Sequence, residues 1–365
     1  MKIGFDAKRA FNNATGLGNY SRSIIQSLSE NNKHHDIYLF TPTKNSSLFN
    51  PDLENIQIIT PKKGINKKIW RFKTIKSDLK KLDIDIFHGL SNEIPIGTQT
   101  KTVVTIHDLL FLKYPHFYNF FDRMIYKYKS KMACQKADKI IAISKQTKDD
   151  IIKYYNINPE KIHVIYQSCH KDFINRKTED EIEESIQKEL KAPYFLYVGS
   201  IEKRKNLIFL LQALKQTKNM RLICVGYKTE YYKKVWNFII KNNLKTKVSF
   251  LDIKKPNILS ILYQKSRGLI YPSIDEGFGI PIIEAMYSQV PVIISDQNVF
   301  QEIGGKDAYY FKKNNIESLI QQMEKTWSNS TERNNRIQKN FEYVQNFNEK
   351  KQSNEIMNIY NTLLQ

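Results

Sequence analysis

From Tyr271 to Met286 the chain reads YPSIDEGFGIPIIEAM, with the apolar run GLIY leading into it and an apolar helical pattern starting at about Pro281. Pro272, Gly277, Gly279 and Pro281 break both periodicities, so this stretch is a strand, a bent loop and then a helix. Strand–loop–helix passages are the building unit of a parallel α/β sheet, and ligands gather there at the carboxyl ends of the strands. Glu276 lies in the loop, beside backbone N–H groups of Gly277, Phe278 and Gly279 that can meet a ligand. Glu284 stands four residues into the helix, counting Pro281 as its first. Each carboxylate accepts two hydroxyl hydrogen bonds, so the pair suits a polyhydroxylated ligand. Structural capping of the helix is the competing reading.

The same alternation extends in both directions. Strands are expected at Tyr194–Val198, Arg221–Val225, Val248–Phe250, Gly268–Tyr271 and Val292–Ser295, with helices near Asn206–Thr217 and Pro281–Tyr287. Upstream, strands are expected at Lys2–Ala7, Asp36–Phe40, Ile56–Thr60, Ile84–His88, Thr102–Ile106 and Ile140–Ile143. Helices are expected near Asn19–Glu30, Phe120–Lys136 and Lys145–Tyr155. The pattern restarts after Arg176–Leu190, which predicts two Rossmann-like, doubly wound α/β domains in tandem. They are expected at 1–170 and 171–344, with a C-terminal helix at about 345–365 crossing back onto the first. Two such sheets facing each other would enclose one deep cleft.

A chain of 365 residues agrees with about two domains, and 41% hydrophobic residues describe a globular protein. Its apolar runs are far shorter than the roughly 20 residues that span a bilayer. The opening MKIGFDAKRAF lacks the apolar core of a signal peptide, and Cys134, Cys169 and Cys224 form neither a disulfide framework nor a zinc spacing. The expectation is a cytoplasmic protein. The net charge of +20 calls for an anionic partner. Residues 61–81 carry nine basic side chains and one acid, Asp78, among Ile65, Ile69, Trp70, Phe72 and Ile75. Lys62–Lys81 therefore reads as a basic amphipathic segment able to lie on an anionic membrane surface, or else as a solvated basic helix. No helix-turn-helix, RNA-recognition or zinc signature accompanies the charge, so nucleic acid is not the expected partner.

Three further constellations bear on chemistry. GLGNYS places Gly16 and Gly18 in a loop before a helix, where a backbone can approach an anion, although Ser21 stands where a dinucleotide fingerprint has its third glycine. His107 and Asp108 end the strand TVVTI, putting an imidazole and a carboxylate at the ligand edge of the sheet. SIEKRKN follows the second domain's first strand, so Arg204 and Lys205 sit near a helix N-terminus. The helix dipole disfavours cations there, unless an anionic group such as a diphosphate docks between them. Asp83 and Asp85 match the spacing of metal-dependent sugar transferases but lie at the start of their strand, away from that edge. No metal site is expected from them.

Taken together these residues resemble the family 4 retaining glycosyltransferases of the GT-B fold, above all their bacterial mannosyltransferase-B-type branch. The matching pieces are FDAKRAFNNATGLGNYSRSIIQSL, TIHDLLFLKYP, ADKIIAISKQTKDDI, LYVGSIEKRKNL, IDEGFGIPIIEAMYSQVPVI and QEIGG, in family order over most of the chain. The resemblance implies a nucleotide-sugar donor, GDP-mannose or a UDP-sugar, held mainly by the second domain. Arg204 and Lys205 would neutralise its diphosphate, and Glu284 would bind its ribose. Glu276, with the Gly277–Gly279 backbone, would hold the sugar hydroxyls. Gly16 and Gly18 would line the cleft near the diphosphate, and His107 would lie beside the donor sugar. Ser200 stands where many members carry Arg, which shifts the phosphate load to Arg204, and YQSC at Tyr166–Cys169 replaces the usual Asn-Gly turn.

The resemblance further implies hexose transfer with retention, by same-face attack on an oxocarbenium-like centre, with no cofactor and no metal. The acceptor would be a lipid-linked or other glycan in surface polysaccharide synthesis, reached from the cytoplasm at the inner membrane. The residues agree with electrostatic catalysis, since they supply cations and helix dipoles for a leaving group. The alternatives are transfer to a soluble acceptor and, from another class, a basic nucleic-acid-binding protein.

Overall fold

In the computed structural model the chain is described throughout except at residues 44–46, 52–53, 63–65, 67–69 and 176–181. It divides into two compact units, residues 1–167 with 348–365, and residues 168–347.

In unit 1 the strands are β1 (Lys2–Asp6), β2 (Asp36–Phe40), β3 (Ile56–Ile59), β4 (Ile86–Gly89), β5 (Lys101–Ile106), β6 (Lys139–Ala142) and β7 (Ile162–Val164). They form one sheet in the order β3-β2-β1-β4-β5-β6-β7, with every neighbouring pair parallel. The order reverses between β1 and β4, so the loops leaving these two strands diverge and open a crevice at the carboxyl edge. Ile3, Phe5, Ile37, Leu39, Ile86 and Val103 fill the core beneath the helix Gly16–Asn31. The C-terminal helix Glu349–Leu364 completes that core with Ile356, Met357 and Tyr360. Tyr360 is also fixed by a hydrogen bond between its hydroxyl and His88 Nδ1 at 2.6 Å.

In unit 2 the strands are β8 (Phe195–Val198), β9 (Leu222–Val225), β10 (Val248–Leu251), β11 (Leu269–Tyr271), β12 (Val292–Ser295) and β13 (Tyr309–Phe311). Their order, β10-β9-β8-β11-β12-β13, is again parallel and again reverses once, between β8 and β11. The strands read as continuous apolar runs, LICV or VIIS, because helices cover both faces of the sheet.

Two sequence expectations need correction here. Gly16 and Gly18 are not in a loop; they occupy the first turn of a helix expected only from Asn19. The Asn13 side-chain oxygen accepts from the N–H groups of Thr15 at 2.8 Å and Gly18 at 3.3 Å, which closes the turn early. Gly18 is required there, since a Cβ would meet the Asn13 carbonyl oxygen at 1.8 Å. The second concerns Lys62–Lys81, part of which lies outside the described residues. Trp70 and Ile75, read as part of an apolar stripe, are buried against Phe40, Leu79 and Phe87. Trp70 donates to Asp78 across 2.8 Å. Arg71, from the same segment, is ion-paired with Asp6 and, at 3.1 Å, with Glu93. Lys76, Lys80 and Lys81 remain exposed.

Candidate functional site

The reversal of strand order in unit 2 brings the loop after β8 beside the loop after β11. Arg204 and Lys205 arrive on the first loop, in a short turn over Lys203–Lys205, and Glu276 on the second. Arg204 Nη1 lies 2.7 Å from Glu276 Oε2, and Lys205 Nζ lies 2.6 Å from Glu276 Oε1. These side chains are only 11–16% exposed, so the attraction is weakly screened. Burial alone would raise the Glu276 carboxyl; Arg204 and Lys205 outweigh it and hold the group down at about 2.

Further partners lock the cluster. Arg204 also donates to the Asp275 carbonyl at 2.8 Å and to Glu202 at 2.7 Å, and its own carbonyl accepts from the N–H of Ile274. Lys205 donates to the Tyr271 hydroxyl at 2.7 Å. Burial lowers the Lys205 ammonium, with Glu276 pulling the other way, while burial followed by Glu276 pushes Tyr271 up. Glu202 and Tyr271 went unrecognised in the sequence, where nothing distinguished them from a loop acid and a strand aromatic.

Glu284 lies one turn into the helix Ile280–Tyr287, which Gly279 opens with φ +111° and Pro281 follows. Its Oε2 accepts from the Tyr263 hydroxyl at 2.8 Å. Burial pushes its carboxyl up to about 7, and the Tyr263 bond only moderates this. Two carboxylates eight residues apart thus sit in opposite environments: Glu276 is fixed as an anion, and Glu284 is poised to change protonation near neutrality. The Phe278 side chain packs into the core against Phe347, leaving its backbone as the part that can serve a ligand. Ser200 follows Gly199 at the end of β8, and its carbonyl accepts from the Tyr197 hydroxyl at 3.3 Å.

The remaining expected residues belong to unit 1. His107 follows β5 directly and is buried; its Nε2–H donates to the Leu90 carbonyl at 2.8 Å, and Tyr20 meets its ring edge-on. Burial holds the imidazole down at about 4, hence neutral at pH 7, with Nδ1 left as the lone-pair nitrogen. Asp108, read with His107 as an orienting carboxylate, accepts from the N–H of Leu110 at 3.0 Å and so supports the following turn. A Cβ on Gly16 would meet nothing within 4 Å, so packing does not demand a glycine there. Asp85, from the Asp83-Ile84-Asp85 spacing, accepts from the N–H of Lys2 at the amino edge of the sheet. Among the described residues no three His, Cys, Asp or Glu side chains are grouped to hold a metal ion, and no helix is long and apolar enough to cross a membrane.

Two Rossmann-like units, one carrying a cation–carboxylate cluster at its switch point, define a protein of the GT-B class. The family model described as Glycosyltransferase Family 4 matches residues 14–169, and that described as Glycosyl transferases group 1 matches residues 178–343. The chain belongs to the family 4 glycosyltransferases. It is 39% identical over 209 residues, 57% of its length, to the O-antigen chain mannosyltransferase RfbU of Salmonella typhimurium. It is 30% identical over 242 residues, 64% of its length, to the O-antigen chain mannosyltransferase B of Escherichia coli. These alignments span 55% and 63% of the two relatives' own lengths. In fold it is similar to the sucrose-phosphate synthase of Thermosynechococcus elongatus, with a TM-score of 0.79 at 18% identity over 100% of this chain and 99% of that one.

Proposed function

We propose that the chain is a retaining, metal-independent hexosyltransferase that moves mannose from a nucleotide-sugar, GDP-mannose first among the candidates, to a lipid-linked or other glycan acceptor of a surface polysaccharide. The observation that carries this reading is the Arg204–Lys205–Glu276 cluster where β8 and β11 diverge. A diphosphate entering there brings two negative charges to a guanidinium and an ammonium already held in place. Charge that grows on the leaving phosphate then meets preorganised cations, and no solvent has to reorient. Glu276, kept ionised, accepts hydroxyl hydrogen bonds from the donor sugar, and Glu284 accepts them from the ribose. His107, neutral, serves the sugar through a hydrogen bond and not through charge. The printed names of the two O-antigen mannosyltransferases support mannose and a cell-surface glycan. A lipid-linked acceptor would place the protein in the cytoplasm, peripheral on the inner membrane.

The test is a screen of purified protein against GDP- and UDP-sugars in the presence of chelator, reading thermal shift and slow donor hydrolysis. One donor that both stabilises the protein and is cleaved is the expected result. Loss of cleavage in chelator with recovery on adding a divalent metal would overturn the metal-independent reading. Silence towards every donor would point instead to an acceptor-gated enzyme or a binding protein.

A further inference from the structure

In unit 1 the helix Phe120–Lys136 buries only Ser130, Ala133 and Cys134, all in its C-terminal half. Its N-terminal half carries Phe120, Phe121, Met124, Ile125, Tyr126 and Tyr128, every one exposed, with Phe121 at 74% and Tyr128 at 65%. Single exposed apolar side chains are ordinary, but Phe120, Phe121, Met124, Ile125 and Tyr128 recur at three- and four-residue spacing and so share one face of the helix, a patch that calls for a partner. Beside the patch lies a cavity of about 430 Å³ lined by Ile94, Ile96, Met124, Ile125, Tyr128 and Met132. Cations are interleaved with the aromatics. Lys127, Lys131 and Lys136 are exposed, Arg123 sits over the Phe120 ring, and Asp122 is the helix's single acid. Lys129 is committed to Glu93 at 3.1 Å, and both line the same cavity.

We propose that this helix face is a docking surface for an anionic lipid bilayer, with the aromatic and aliphatic side chains entering the interface, the lysines meeting the head groups, and an acyl chain able to occupy the cavity. Aromatic rings and lysines side by side suit the boundary between head groups and hydrocarbon. A contact with a second copy across this face would bury Lys127 and Lys131, whereas stable interfaces are depleted of charge at their core. A nucleic acid needs a cationic track for phosphates, whereas the cavity here is lined mainly by apolar side chains and its lysine, Lys129, is paired with Glu93. In Lys62–Lys81, by contrast, Trp70 and Ile75 are spent in the core. The inference gives a location to the membrane association proposed above, but it is read without donor or acceptor, so either reading can fail while the other stands.

The experiment is vesicle co-sedimentation of the full chain, with phosphatidylglycerol-containing and pure phosphatidylcholine vesicles at low and high salt. Wild type is expected to bind the anionic vesicles. The double variant Phe120→Ser/Phe121→Ser should lower the partition coefficient about tenfold or more, a loss of about 1.4 kcal/mol per decade. Lys127→Glu/Lys131→Glu should remove the salt-dependent part of binding. Lys76→Glu/Lys80→Glu, on the basic segment, should stay within about twofold of wild type. All three variants alter exposed side chains, so unchanged melting temperatures are expected and serve as the folding control. The proposal is overturned by wild type that binds neither vesicle or both equally, by helix variants that bind like wild type, or by loss confined to the Lys76/Lys80 variant. Light scattering that shows a dimer dissociated by the phenylalanine variant would reassign the face to a second copy.

Discussion

The Tyr263 hydroxyl donates to Glu284 Oε2 across 2.8 Å, so the carboxylate expected to read the donor's ribose is met by a neutral partner. Eight residues earlier, Glu276 is met by two cations. The pair therefore separates into a permanent anion and a group that titrates at about 7.

Donor affinity should depend on pH through Glu284. Two ribose hydroxyls donating one to each oxygen favour the ionised carboxylate, because a proton turns one of those oxygens into a donor, so binding releases the proton held below about pH 7. Affinity for the nucleotide-sugar should plateau above that value and fall below it, by up to about tenfold per pH unit. The nucleotide-sugar is the right probe, because its diphosphate diester does not titrate in this range. Calorimetry between pH 5.5 and 8.5 checks the profile, and Glu284→Gln should flatten it. A flat wild-type profile would remove Glu284 from the ribose.

Without donor, the same group acts on stability with the opposite sense. Folded Glu284 keeps its proton up to about 7, while the unfolded chain releases it at the ordinary 4.5. The folded state binds more protons between these values, so stability falls as pH rises through that window, by at most about 3 kcal/mol. Glu284→Gln should remove this slope from urea melts and leave the protein more stable than wild type above pH 7.

Glu276→Gln and Lys205→Ala should each lower turnover about a hundredfold or more, the scale of losing a preorganised electrostatic contact. Both should also cost stability, roughly 3 kcal/mol for Lys205→Ala, since it leaves a buried carboxylate with one cation fewer. Glu276 lies below its ordinary value, so its contribution is present above about pH 4.5 and is lost as pH falls towards about 2. Tyr271→Phe removes only the hydroxyl that accepts from Lys205. It should lower turnover about tenfold while costing about 1 kcal/mol. Near-normal turnover in Glu276→Gln would show the cluster to be structural.

The two glycines at the head of the first long helix should separate packing from ligand approach. Gly18→Ala must displace the Asn13 carbonyl and should destabilise unit 1 by about 2 kcal/mol. Gly16→Ala enters open space at a helix end and should leave the melting temperature unchanged or slightly raised. A rise in donor or acceptor KM in Gly16→Ala, with stability intact, is expected if a ligand reaches that backbone. An unchanged KM would show that none does.

Tyr360→Phe should cost about 1–2 kcal/mol, because it strips a buried partner from His88 and loosens the C-terminal helix. Burial holds His88 down at about 3, so protonation offers no rescue near neutrality.

The chain's local patterns carried most of the architecture. Apolar runs such as LICV and VIIS and the helix FFDRMIYKYKSKMACQK were legible because strand and helix periodicity are properties of a few consecutive residues. The helix start at Gly16 was not legible, since it depends on an Asn13 side chain closing a turn that the two glycines seemed to open.

The sequence alone determined that Arg204, Lys205, Glu276 and Glu284 lie on strand-to-helix passages at the ligand edge of a parallel sheet, because that edge follows from chain direction. Only the tertiary structure decided that Glu276 faces both cations across 72 and 71 positions in sequence, and that Tyr263 and not a cation meets Glu284. It also turned Trp70 and Ile75 inward and left Phe120 and Phe121 in solvent. The reason is strand order: which loops become neighbours is set where β8 meets β11, and which apolar faces are covered is set by what packs upon them. Neither is encoded in any one segment of the chain.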